Sequence, residues 1–154
     1  MAKKKISSDI DYGILDSLIG YKLRLAQVNM FSIFTERCAE FDITPGLFGV
    51  LAIVERNPGL TQTAIANALG NDRSVMVSVV DRLEKMNVVQ RKPSVSDRRS
   101  HALYLTDHGE ALYQQLLEKV LAHEKELMNS FTKEEQTLMI DVLARIAAFR
   151  PTSS

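Results

Sequence analysis

The chain is predicted to be mainly α-helical with a small β wing, and three observations predict it. Residues 60–106 read as a short helix, a tight turn, a longer helix, and two short strands joined by a basic loop. Apolar residues recur at three- and four-residue steps over about 9–41 and again beyond 107, the period of helices with one buried stripe. Strong breakers separate these blocks: Thr44-Pro45, Asn57-Pro58-Gly59 and Thr132-Lys133-Glu134-Glu135. The order is that of a winged helix-turn-helix, which sets one helix in the DNA major groove and a basic hairpin beside it. Three segments are expected: an N-terminal dimerisation helix over 9–41, a winged helix-turn-helix lobe over 44–106, and C-terminal dimerisation helices over 107–150.

The N-terminal segment carries Leu15, Leu18, Ile19, Leu25, Phe31, Phe34, Cys38 and Phe41 on one stripe, with Ser8 or Asp9 placed to cap it. Thr44-Pro45 opens the next helix, whose inner side is Leu47, Phe48, Val50, Leu51 and Val54. Thr61 caps the short helix, and Gly70 suits the left-handed residue that ends it. Asn71-Asp72 caps the longer helix, which is expected to turn Val75, Val79, Val80, Leu83 and Met86 inward. The valines make a strand the competing reading there. Val88–Lys92 and His101–Leu105 alternate as short strands. Thr106 caps a helix to about Phe131, and a Thr132…Glu135 capping box starts a last helix that Pro151 stops.

Composition narrows the function. Hydrophobic residues at 45% and charged residues at 25% are ordinary for a folded soluble chain. No apolar run is long enough to span a membrane, and Lys3-Lys4-Lys5 is followed by polar residues rather than an apolar core, so a cytoplasmic protein without a membrane partner is expected. Net charge is zero, but its distribution is not even: residues 72–101 hold seven Lys or Arg against four Asp or Glu, net +3, whereas 107–141 hold three against eight, net −5. A basic middle beside an acidic C-terminal part suits a protein that turns one face to phosphates. The single cysteine, Cys38, permits no intramolecular disulfide, and His101, His108 and His123 do not form a metal-ligand pattern. No nucleophile elbow or Gly-rich phosphate loop is present, so neither an enzyme nor a cofactor is expected.

Asp97-Arg98-Arg99, with Leu105-Thr106 and Gly109 after it, resembles the wing signature of the MarR family of bacterial transcriptional regulators. The Thr-Pro helix start, the Leu-Thr-Gln…Ile-Ala…Leu-Gly helix and the Val-Asp-Arg-Leu-Glu-Lys-Met stretch resemble that family too, over about 9–149. Ser94-Val95 stands where the family commonly has Asp-Pro. The resemblance implies a homodimer, usually a repressor, that binds double-stranded DNA and is released by a small-molecule effector or by oxidation. It implies Ser74, Met76, Val77, Ser78 and Arg82 as groove contacts, with Arg73 on a phosphate. Arg98 would sit at the wing tip, braced by Asp97 and Arg99. Met76 and Val77 would instead pack inward if the helix were rotated. An effector site, by the same resemblance between the lobe and the dimerisation helices, would draw on Tyr21, Arg24, Phe31, Phe34, Phe48, Leu51 and His123, and an Arg amid aromatics suits an aromatic acid or its CoA thioester. Two alternatives remain: a winged-helix interaction module that does not bind DNA, and a redox-responsive regulator acting through Cys38. A buried, structural Cys38 is the competing reading of the latter.

Overall fold

The computed structural model describes residues 10–94 and 100–151 and divides into two compact units, 1–45 and 46–154. In order the elements are α1 (Ile19–Arg37), α2 (Pro45–Arg56), α3 (Gln62–Leu69), α4 (Arg73–Lys85), β1 (Val89–Pro93), β2 (His101–Leu105), α5 (Asp107–Met128) and α6 (Lys133–Ala148), with short 3-10 turns at Gly13–Ser17 and Ala39–Phe41. This is the mainly helical chain with a small antiparallel wing that the sequence predicts.

In the first unit the expected single helix is broken. The 3-10 turn at Gly13–Ser17 ends at Leu18, which is extended (φ −85°, ψ 122°), and α1 starts after it. The cause is local. Ser17 Oγ donates to the Ile14 carbonyl at 2.9 Å, the acceptor that a continuing α-helix would offer to the Leu18 amide, and Leu18 N–H bonds to Leu15 instead. No residue of α1 is buried. Leu18, Ile19, Leu25, Val28 and Phe31 are all exposed.

The second unit holds a continuous core. Leu47, Val50, Leu51 and Val54 of α2 are buried, as are Ile65 and Ala66 of α3 and Met76, Val80 and Leu83 of α4. Val88 and Leu103 at the wing base and Leu116 of α5 are fully buried as well. Three threonines cap helices as predicted. Thr61 Oγ1 accepts from Ala64 N–H (3.3 Å), Thr106 Oγ1 from Gly109 N–H (3.0 Å) and Thr132 Oγ1 from Glu135 N–H (3.2 Å). Glu135 reaches back to the Thr132 amide at 2.8 Å, completing the capping box. Gly70 adopts φ 65° and ends α3. Asp72 occupies the N-cap position of α4, but its side chain makes no capping hydrogen bond.

The two strands pair antiparallel from Val89↔Leu105 to Pro93↔His101, so β1 lies one residue later than the alternation suggests. A third extended piece joins the sheet. Gly59 N–H bonds to the Leu103 carbonyl and Leu103 N–H to Leu60, both at 2.9 Å. The turn from α4 into β1 uses Asn87 at φ 56°. Thr106 then locks the wing base: its amide bonds to Val88 O (3.1 Å) and its hydroxyl donates to Asn87 O (2.6 Å). Gln136 Nε2 of α6 donates to the carbonyls of Met128 and Phe131, tying the start of α6 to the end of α5. No residue of α6 is buried either, and Leu138, Ile140, Leu143, Ile146 and Phe149 are exposed.

Candidate nucleic-acid interface

Residues 70–72 separate α3 from α4, and the small buried Ala66 lets the two helices approach closely. The rotation of α4 is set by its core face. Met76, Val80 and Leu83 are each fully buried, at the i, i+4, i+7 spacing of one helical stripe. Met76 is therefore a core residue and not a groove contact, which corrects the expectation above. The same rotation carries Val75 out to solvent instead of inward.

The exposed residues of α4 are Arg73, Ser74, Val75, Val77, Ser78, Arg82 and Lys85. Five of the six groove and phosphate residues expected on this helix are thus exposed: Arg73, Ser74, Val77, Ser78 and Arg82. Ser78 Oγ approaches the Ser74 carbonyl at 3.5 Å, one turn back along the helix. Arg98, expected at the wing tip, and its expected braces Asp97 and Arg99 lie outside the described residues. The wing stem below them is closed by Ser94 N–H bonding to Ser100 O at 3.1 Å.

Arg91 of β1 plays a part that the sequence reading missed. Its amide donates to Glu84 Oε1 (3.0 Å) and its Nη1 donates to Glu84 Oε2. Its Nη2 donates to Asp81 Oδ1 (2.7 Å) and to Gln62 Oε1 (3.2 Å). One guanidinium thereby joins wing strand, recognition helix and the first helix of the motif. The planar fork of an arginine holds several acceptors in fixed directions from separate nitrogens, whereas a lysine offers its three donors from one. A signal was available: Asp81 and Glu84 stand three apart on one helix face, followed by an Arg in the next strand. Beside it, Lys92 Nζ sits 4.8 Å over the Tyr104 ring, a cation–π contact on the wing stem.

The residues expected around an effector fall into two sets. Tyr21, Arg24, Phe31 and Phe34 are on α1, where Arg24 and Phe31 are exposed and Tyr21 and Phe34 half-buried. Tyr21 has its ring 6.1 Å from that of Tyr12. In the second unit Phe48 stacks on Tyr113 with centroids 5.9 Å apart. Leu51 is fully buried, so it belongs to the core and presents no surface to a ligand. His123 Nε2 is buried with no hydrogen-bond partner among the described residues. A cleft of about 580 Å³ lies elsewhere in this unit, bounded by Val54, Glu55, Pro58, Tyr104 and the start of α5. Asp107 and Glu110 add carboxylates to Glu55 there, so the cleft repels an acidic ligand. Cys38 is 1% exposed.

A family model for MarR matches residues 43–101, the span from the start of α2 into the wing. A Thauera aromatica protein named as a transcriptional regulator for the hcr operon is 30% identical over 140 residues, which cover 90% of this chain and 84% of the relative. The chain belongs to the MarR family. Two solved structures of the transcriptional repressor CouR share the MarR fold over nearly its whole length. The one bound to a 23-mer DNA duplex has a TM-score of 0.84 at 38% identity, covering 91% of this chain and 99% of that one. The one bound to p-coumaroyl-CoA has a TM-score of 0.85 at 33% identity, covering 92% and 100%. As a MarR-family member the chain is a DNA-binding transcriptional regulator, a role that is regulatory and not catalytic.

Proposed function

We propose that the chain is a homodimeric repressor that leaves a pseudo-palindromic operator when an aromatic acid or its CoA thioester binds. The observation that carries this reading is the likeness to CouR, a repressor captured both on DNA and with p-coumaroyl-CoA. The dimer is supported by α1 and α6, which bury no residue within one chain while presenting large apolar side chains. Exposed apolar faces of that size mark association surfaces. In the dimer two copies of α4 would meet successive major grooves, about one helical turn apart. For the effector, the second unit offers the orphaned His123 Nε2, a hydrogen-bonding group with its desolvation already incurred; the first unit, taken by itself, offers the exposed Arg24 as a cation for a carboxylate or phosphate. Tyr21, Phe31 and Phe34 are the aromatic candidates of the first unit and Phe48 that of the second. Release follows if the ligand binds more tightly to the arrangement of the dimer that no longer fits the groove.

Fluorescence anisotropy on duplex DNA from upstream of the gene tests the reading, with p-coumaroyl-CoA, p-coumarate and CoA added separately. DNA binding at two chains per site, reversed by the thioester or the acid and not by CoA alone, is expected. Binding that ignores all three compounds would sink the effector assignment and leave the DNA assignment standing. Failure to bind any such DNA would favour the interaction-module reading. The burial of Cys38 disfavours release by oxidation, because a thiol reacts where it is accessible as thiolate.

A further inference from the structure

Val75 and Val77 are 49% and 44% exposed on α4, either side of a fully buried Met76. At about 100° per residue the two valines point roughly 100° to each side of the core direction, and Ser74 and Ser78 point away from it between them. The outward face of the recognition helix is therefore a row of hydroxyls with an isopropyl group on each flank. Neither valine belongs to the buried core, and valine is a mediocre helix former. We propose that Val75 and Val77 read operator sequence by packing against thymine C5 methyl groups in the major groove.

The chemistry selects that partner. Thymine methyl is the one apolar group on the major-groove edge, where the other bases present hydrogen-bond donors and acceptors. An isopropyl group set against adenine N6 or guanine O6 desolvates a polar atom without replacing its hydrogen bond. Against thymine it buries two apolar surfaces. Between Arg73 and Arg82 the helix carries no Asn, Gln, Lys or Arg, so the side chains that make bidentate base contacts are confined to its two ends. Arg73 and Arg82, both exposed, place a cation toward each end of the stretch that holds the valines, which suits a polyanion. The proposal rests on α4 entering the groove as the second helix of the motif, and it adds what that helix recognises there.

The test uses the full chain. Duplexes are selected from a randomised pool, and each thymine of the enriched sequence is then replaced singly by uracil, which deletes only the methyl. Each contacted methyl is expected to weaken binding about fourfold, the effect of unburying one methyl-sized group. Val75→Ala or Val77→Ala should abolish the penalty at its own thymine and leave the salt dependence unchanged, since no phosphate contact is lost. Both positions are exposed, and matched thermal melts confirm that the variants fold. Uracil replacement without effect at every thymine, or a penalty that persists undiminished in both variants, would overturn the proposal. A pool from which nothing is enriched would overturn the DNA reading and the proposal with it.

Discussion

Arg91 Nη2 lies 2.7 Å from Asp81 Oδ1, so the first wing strand is bound by charge to the solvent-facing half of the recognition helix. Through Glu84 and Gln62 the same side chain reaches a second carboxylate of α4 and the start of α3. Arg91→Ala leaves two carboxylates facing each other without their cation. A loss of about 1–3 kcal/mol in urea unfolding is expected, typical of stranding a part-buried charged partner. DNA affinity should fall with the salt slope retained, because Arg91 is spent on protein carboxylates and not on phosphates. Arg91→Lys should recover only part of both, lacking the planar fork.

The rotation of α4 gives opposite outcomes for neighbouring residues. Met76→Ala opens a hole in a fully packed site and should cost about 2–5 kcal/mol. Val77→Ala should leave the unfolding midpoint nearly unchanged and act on DNA binding alone. Paired denaturation curves check both, and a stable Met76→Ala protein would mean the helix is turned differently.

The wing base tolerates little. A Cβ on Gly109 would stand 1.9 Å from the Val88 carbonyl oxygen, a backbone atom held by the Thr106 amide. Gly109→Ala is therefore expected to destabilise by about 3 kcal/mol or to prevent folding, the upper range for overpacking. Asn87, at φ 56°, sets a second comparison. Asn87→Gly should be close to neutral, while Asn87→Val should cost about 1–2 kcal/mol for a β-branched residue in the left-handed region. Chemical denaturation ranks the three.

At the start of α6, backbone and Thr132 hydroxyl hydrogen bonds hold the Glu134 carboxyl below its ordinary 4.5. A carboxylate whose value is depressed by folding stabilises above its unfolded value, and that contribution disappears as pH falls through the lowered one. The first turn of α6 should accordingly loosen below pH 4.5, seen as earlier amide exchange at residues 133–136. Thr132→Ala should flatten that dependence.

The parts of the fold that were legible are those decided within a few residues. Thr61, Thr106 and Thr132 cap their helices, Gly70 closes α3, and β2 spans the predicted His101–Leu105. Where two local solutions compete, the reading went astray. Both Val75-Val79-Leu83 and Met76-Val80-Leu83 keep a helical period, and the choice is made by what α4 packs against. At the break before α1 the Ser17 hydroxyl takes the Ile14 carbonyl, a local hydrogen bond that no hydrophobic pattern records. Arg91 was missed because its partners Glu84, Asp81 and Gln62, 7, 10 and 29 residues away, come together only in the folded chain. Leu51 was assigned to a ligand on residue type, but type does not separate an apolar lining from an apolar core.

The bare surfaces of α1 and α6 make abundance a variable of the molecule's physics. In the proposed dimer these helices gain their burial from a second chain and are held in place by mass action, so the melting temperature should climb as the protein is concentrated. In a cell holding few copies, subunit pairing and operator occupancy would fade together. Repression would then respond to copy number more steeply than a simple saturation curve, so that small changes in synthesis or degradation could open the operon without any effector.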